Sequence, residues 1–250
     1  STIQDLITNL PTTRKEVEYV ATISAKGDAE IGRIIGQAFE DVGHEGVITV
    51  DEGHSIHTTI DVVEGFQIKR GAEAQDRFFN TSDGTRFEAE NALVLLYDGK
   101  LNSYTEILPP LNAIAQQSKK GMPPVVIVAN DFTPEVIQFL LIQRAEIGLK
   151  VCAVKSPHTT NIRTQMLDDM GVMLGGYRFG NGNKALTETT YEMIGACAKV
   201  IVDKYTATFY DGDGSEDEIL SRVDQLKAMR KQAESPYDAQ LISDRIAALS

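Results

Sequence analysis

Cysteine is nearly absent. The 250-residue chain has two, Cys152 and Cys197, which allow neither a disulfide framework nor a zinc-ligand spacing. Both sit in apolar stretches, so buried, reduced thiols in a cytosol-like compartment are expected. Long hydrophobic runs are also missing: none approaches the ~18 residues a membrane helix needs. Ser1-Thr2-Ile3-Gln4-Asp5 has no basic stretch leading into an apolar one, so no secretory signal is expected. The lack of an initial Met suits a segment cut from a longer protein. Basic residues are in deficit, 24 Lys+Arg against 36 Asp+Glu, giving a net charge of −12. That balance argues against whole-surface binding to nucleic acid, because phosphates need Lys and Arg, and leaves room for a local basic patch. The content of 42% hydrophobic and 24% charged residues is that of a globular chain. Its length suffices for one or two domains without staples.

Catalytic signatures are equally scarce. Asp211-Gly212-Asp213-Gly214-Ser215 resembles the start of an EF-hand loop, but Glu216 and Arg222 stand where the loop needs Gly and a bidentate Glu. A turn before an acid-rich helix start fits better. Gly175-Gly176 and Gly180-Asn181-Gly182 do not form a phosphate loop. His44, His54, His57 and His158 include no H-E-x-x-H, and there is no G-x-S-x-G. Asn80-Thr81-Ser82 matches a glycosylation sequon but has no secretory context. This counts against a complete enzyme.

Periodicity supplies the architecture. Residues 14–26 and 28–42 read as helices, the second capped by Asp28, with Ile31, Ile34, Ile35 and Phe39 on one face. Glu45–Val50 and Thr58–Val63 read as strands. From Ala92 the chain alternates. Apolar strands 92–97, 125–129 and 151–154 are followed by helices 104–118, 133–147 and 161–173. Continuous apolar strands are expected where both sheet faces are covered. A late strand is expected at 200–202, and helices at 215–232 and 237–249 around Ser235-Pro236. The fold class is therefore α/β, a parallel-sheet core with flanking helices, plus a small α+β segment at the N-terminus.

Two helices carry more apolar surface than sheet packing needs. In 104–118, Ile107, Pro110 and Ile114 form one stripe, and Leu108, Leu111 and Ala115 a second about 100° away. In 133–147, Val136, Phe139 and Leu140 form one stripe, while Ile137, Leu141 and Ile142 extend the apolar surface round the side. A helix packed by one face needs only about a 100° stripe. The surplus means either deeper burial or a groove that receives apolar partners.

Several stretches resemble one family. Gly43-His44-Glu45-Gly46-Val47-Ile48-Thr49-Val50, Asp61-Val62-Val63-Glu64-Gly65-Phe66-Gln67, Arg70-Gly71 and Val151-Cys152-Ala153-Val154-Lys155-Ser156-Pro157 resemble motifs of the group I chaperonins, the GroEL family. Leu167-Asp168-Asp169, Gly175-Gly176 and Ser235-Pro236-Tyr237-Asp238 follow in the same order. The likeness runs over nearly the whole chain. It implies part of an intermediate domain over 1–63 and an apical, polypeptide-binding domain over 64–250, the chain ending about where the family returns to the intermediate domain. The family's nucleotide-binding regions have no counterpart here. The implied function is chaperone binding of non-native polypeptides and a co-chaperonin, without catalysis by this segment. The parent would be an ATP- and magnesium-dependent ring ATPase of the cytoplasm or an organelle matrix, with no nucleic-acid or membrane partner. Matched position by position, the apolar binding contacts fall on Leu108, Leu111, Ile137, Leu141 and Ile142. Phe78 and Phe79 match an aromatic-bearing segment after Arg70-Gly71, and Gly65 matches an apical hinge glycine. His158–Arg163 and Tyr177–Gly182 depart from the common bacterial pattern, as in a divergent member.

These inputs make a sharp expectation. Leu108, Leu111, Ile137, Leu141 and Ile142 should be at least partly exposed, and Ile107, Ile114, Val136 and Leu140 buried. The competing reading is an α/β enzyme or ligand-binding domain with its site at the strand C-terminal ends, where Asp98, Asn130, Asp131 and Lys155 fall.

Overall fold

The computed structural model describes residues 29, 32–33, 35–37, 48–50, 60–62, 65–74, 77–119, 121–157 and 160–249. The chain divides into two compact units, Ser1–Glu64 and Gly65–Leu249. In the first, the helix expected over 14–26 lies outside the described residues, as do His44, His54 and His57, and in the second unit His158 does too. Residues 29, 32–33 and 35–37 of the helix expected over 28–42 are helical. Strands β1 (Ile48–Val50) and β2 (Ile60–Val62) pair antiparallel, with Ile48 opposite Val62.

The second unit is built on a seven-stranded sheet. Its strands are β3 (Gly65–Ile68), β4 (Phe87–Leu101), β5 (Val125–Phe132), β6 (Val151–Lys155), β7 (Arg178–Gly180), β8 (Gly195–Val202) and β9 (Ala207–Gly212). The order is β3-β9-β8-β4-β5-β6, with β7 also on β4. The 15-residue β4 organises it. Along one edge, Leu93–Leu101 pairs parallel with β5. On the other, Phe87–Val94 pairs antiparallel with β8, and Leu96–Asp98 pairs parallel with β7. The sheet is therefore half parallel and half antiparallel, and the parallel core expected from the sequence is only its β4–β5–β6–β7 part. Of the antiparallel half the sequence pattern signals only the end of β8, at 200–202; β3 begins at a glycine that reads as a break, and β9 ends in Asp211-Gly212, which reads as a turn.

Three long helices fill the crossovers: α1 (Leu108–Gln117), α2 (Pro134–Ile147) and α3 (Thr160–Leu174). Two more, α4 (Glu216–Lys231) and α5 (Pro236–Leu249), close the chain. β4–α1–β5–α2–β6 steps twice in one direction. Right-handed crossovers then put α1 and α2 side by side on one face. β6–α3–β7 steps back across the sheet, so α3 covers the opposite face, where α4 and α5 pack on it. Ala92–Leu96 and Val125–Ala129 are buried throughout, as strands covered on both faces must be.

Local chemistry sets the helix ends. The helix expected from residue 104 is first a 3₁₀ turn, Tyr104–Glu106, and becomes α-helical only at Leu108. Glu106 Oε1 accepts from the backbone N–H groups of Asn102 and Ser103 at 2.8 and 2.9 Å, and Pro109-Pro110 follow in the first α turn, where their missing N–H groups leave no bond unmade. α2 has a proline in its first turn and stops at Gly148, whose left-handed φ of 67° is reached without the steric penalty a Cβ would bring. Ser215 Oγ caps α4 by accepting from Glu218 N–H at 3.3 Å, ahead of Glu216, Asp217 and Glu218.

Candidate functional site

The α1–α2 face carries most of the sequence-derived site residues. Ile107, Ile114, Val136 and Leu140 have no exposed surface and point into the core. Leu108 and Leu141 are half-buried, and Ile142 is 39% exposed. Leu111 and Ile137 differ from expectation: at 8% and 7% exposure they belong to the core cluster. The reason is the width of the buried arc. Leu111 lies only about 40° from Ile107 on the helical wheel, at the edge of the arc that Pro110, Ile114 and Ile107 occupy, and Ile137 only about 60° from Leu140, so both fall within the stripe a sheet-packed helix buries. They form the base of the apolar surface, with Leu141 at its shoulder and Leu108 and Ile142 outermost.

The N-terminal ends of the two helices are tied together. Ser103 Oγ donates to Glu135 Oε1 at 3.0 Å, and Thr133 Oγ1 donates to the Asn102 carbonyl at 2.9 Å. The Tyr104 and Phe139 rings stack across them, with centroids 5.1 Å apart and planes 22° from parallel. Tyr104 is exposed and Phe139 half-buried, so this pair adds aromatic surface next to the aliphatic residues. The sequence reading placed Phe139 on the inner stripe and passed over Tyr104. Its signal was the position of Phe139 at the opposite margin of that stripe from Ile137. Ile147, at the last turn of α2, is 62% exposed.

Phe78 and Phe79 are not surface residues. Phe78 has no exposed surface and Phe79 is 9% exposed, both within the core cluster. They are the large apolar side chains of a mostly polar stretch, so burial takes them first. Arg144 of α2 fastens this stretch, donating to the carbonyl of Arg77 and, at 2.7 Å, to that of Phe79. Gly65, matched above to a hinge, is the first residue of β3 and pairs with Tyr210. A Cβ there would lie 2.8 Å from Tyr210 Cδ1, so close approach of the ring accounts for the glycine.

The strand C-terminal ends hold the other candidate. Asp98, at the end of β4, is 7% exposed, and both of its oxygens are engaged. Oδ1 accepts from Asn130 Nδ2 at 2.8 Å; Oδ2 accepts from Thr164 Oγ1 at 2.6 Å and Asn181 Nδ2 at 2.9 Å, with Arg178 Nη1 at 3.7 Å. Ser156 Oγ donates in turn to Asn130 Oδ1 at 2.8 Å. Burial opposes the charge on Asp98, but the hydrogen bonds from Thr164, Asn130 and Asn181 and the Arg178 charge outweigh it and hold the carboxyl below its ordinary value. Lys155 bridges Asp131 at 3.2 Å and Glu73 at 3.5 Å, and Lys100 meets Asp131 at 3.3 Å. Every group of the competing reading is thus committed to a neighbour. The arrangement clamps the ends of β4, β5 and β6 to α3 and to the turn after β7, and it presents no poised base or nucleophile among these residues.

No protein-family model matches this chain.

Proposed function

We propose that the chain is the polypeptide-binding portion of a chaperonin-like protein and that it holds non-native chains against the outer faces of α1 and α2. The observation that carries this reading is the split of apolar residues on those helices. Ile107, Ile114, Val136 and Leu140 complete the core, yet Leu108, Leu141 and Ile142 remain at the surface, beside the exposed Tyr104. Surplus apolar surface of this kind marks interaction sites. Burying apolar side chains of a client there is favourable by roughly 25 cal/mol per Å² before the costs of association, and it is non-directional, which suits many client sequences. The motif likeness supports the same reading. On it, a co-chaperonin would use the same surface, and ATP with magnesium would act in parts of a ring-forming parent outside this segment.

The test is titration of the chain with an amphipathic apolar peptide, followed residue by residue by NMR. Perturbation centred on Leu108, Leu141 and Ile142, together with nucleotide-independent suppression of aggregation of a denatured protein, is expected. Perturbation centred on Asp98, Asn130 and Lys155 instead would overturn the reading in favour of a strand-end ligand site.

A further inference from the structure

On the sheet face opposite α1 and α2, a cavity of 460 Å³ opens between β3, α3 and α5. Its volume lies in the range that takes small organic ligands. Ile68, fully buried, is part of its lining, and Ile162, Met166, Leu241 and Ala248 converge on it while only half-buried. A packed core normally closes over such side chains, because an apolar surface without partner atoms forfeits its dispersion contacts. Charge is distributed unevenly around this apolar lining. Lys69 and Arg70 line the cavity and are exposed, and neither has an ion-pair partner among the described residues. Arg245 also lines it, but its guanidinium is spent on Asp169, at 2.6 and 3.0 Å, and on Gln165. Asp244 is the one acid in the lining, and its Oδ1 accepts from Gln240 Nε2 at 2.7 Å. Two uncommitted cations against one acid is a local positive excess in a chain of net charge −12.

We propose that this cavity is a binding site for a small anionic amphiphile, an aliphatic chain carrying one carboxylate. The chain lies along Ile162, Met166, Leu241 and Ala248, and the carboxylate meets Lys69 and Arg70 at the rim. Arg70 suits the headgroup because its planar guanidinium can engage both carboxylate oxygens. The site is independent of the α1–α2 surface and does not rest on the polypeptide-binding reading.

The experiment uses octanoate below its micellar concentration, with octylamine as the charge-reversed control. Calorimetry measures binding to the full chain, and the Met166 methyl signal reports where the probe sits. Saturable octanoate binding that shifts Met166 is expected, with octylamine binding much more weakly. The double variant Lys69→Gln/Arg70→Gln, which alters only exposed side chains and should melt like the parent, is expected to weaken octanoate binding by about tenfold or more. Ala248→Met should also weaken it by filling the cavity. Non-saturable binding, equal binding of octylamine, an unaffected double variant, or shifts at Ile142 in place of Met166 would each overturn the proposal.

Discussion

Arg245 on α5 and Asp169 on α3 form a two-pronged ion pair, with Nε at 2.6 Å from Oδ2 and Nη2 at 3.0 Å from Oδ1, and both residues are buried. Arg222 of α4 adds a third bond, its Nε 2.8 Å from Oδ1. One carboxylate therefore joins the three helices on this face. Removing one partner of such a pair strands the other charge, so Asp169→Asn is expected to cost roughly 3–5 kcal/mol in a urea melt. A loss below about 1 kcal/mol would show that α4 and α5 are held by apolar packing through Val223, Leu226, Ile246 and Leu249 alone.

The helices of the proposed binding surface should separate stability from binding. Leu140→Ala removes a fully buried side chain and should cost about 2–5 kcal/mol. Ile137, 7% exposed in the core cluster, should also cost more than 1 kcal/mol when changed to Ser. Ile142→Ser should stay within about 1 kcal/mol of the parent while clearly weakening peptide binding. Melts paired with peptide titrations check this. Equal destabilisation by Leu140→Ala and Ile142→Ser would make the outer stripe part of the core.

Asp98 should contribute an acid-sensitive part of the stability. Its folded pKa is lowered, so its contribution is complete above the ordinary carboxylate range and is lost as pH falls through that range and below it. Asp98→Asn should therefore be destabilising at neutral pH by about 1–3 kcal/mol, and the gap to the parent should narrow between about pH 5 and pH 3. Urea midpoints measured across that window decide it. A gap that stays constant would mean that the charge of Asp98 does not matter to the clamp.

The two thiols should be inert in the native protein. Cys152 has no exposed surface and Cys197 is 4% exposed. Burial pushes the Cys152 thiol far above its ordinary range and raises Cys197 to about 12. Because the thiolate is the reactive form, a thiol-specific reagent at pH 8 should label neither cysteine until denaturant unfolds the chain. Labelling in seconds without denaturant would reveal local opening of β6 or β8.

Much of the second unit was readable from local pattern. The continuous apolar runs at 92–97, 125–129 and 151–154 became the central parallel strands, and the helices between and after them appear within a few residues of their expected bounds. Ile107, Ile114, Val136 and Leu140 were identifiable as core residues because a helix facing a sheet must repeat its apolar side chains at the helical period. Tertiary structure decided the rest. β3 exists because residues 65–68 find β9 near the far end of the sequence, a pairing that no local period encodes. Leu111, Ile137, Phe78 and Phe79 are inside because of what covers them, since burial belongs to a side chain and its neighbours together. Asp98 becomes a clamp only when Thr164 and Asn181 arrive from distant elements to satisfy it. Sequence periodicity settles which face of an element turns inward; the edge of that face, where the proposed binding surface lies, is settled by packing.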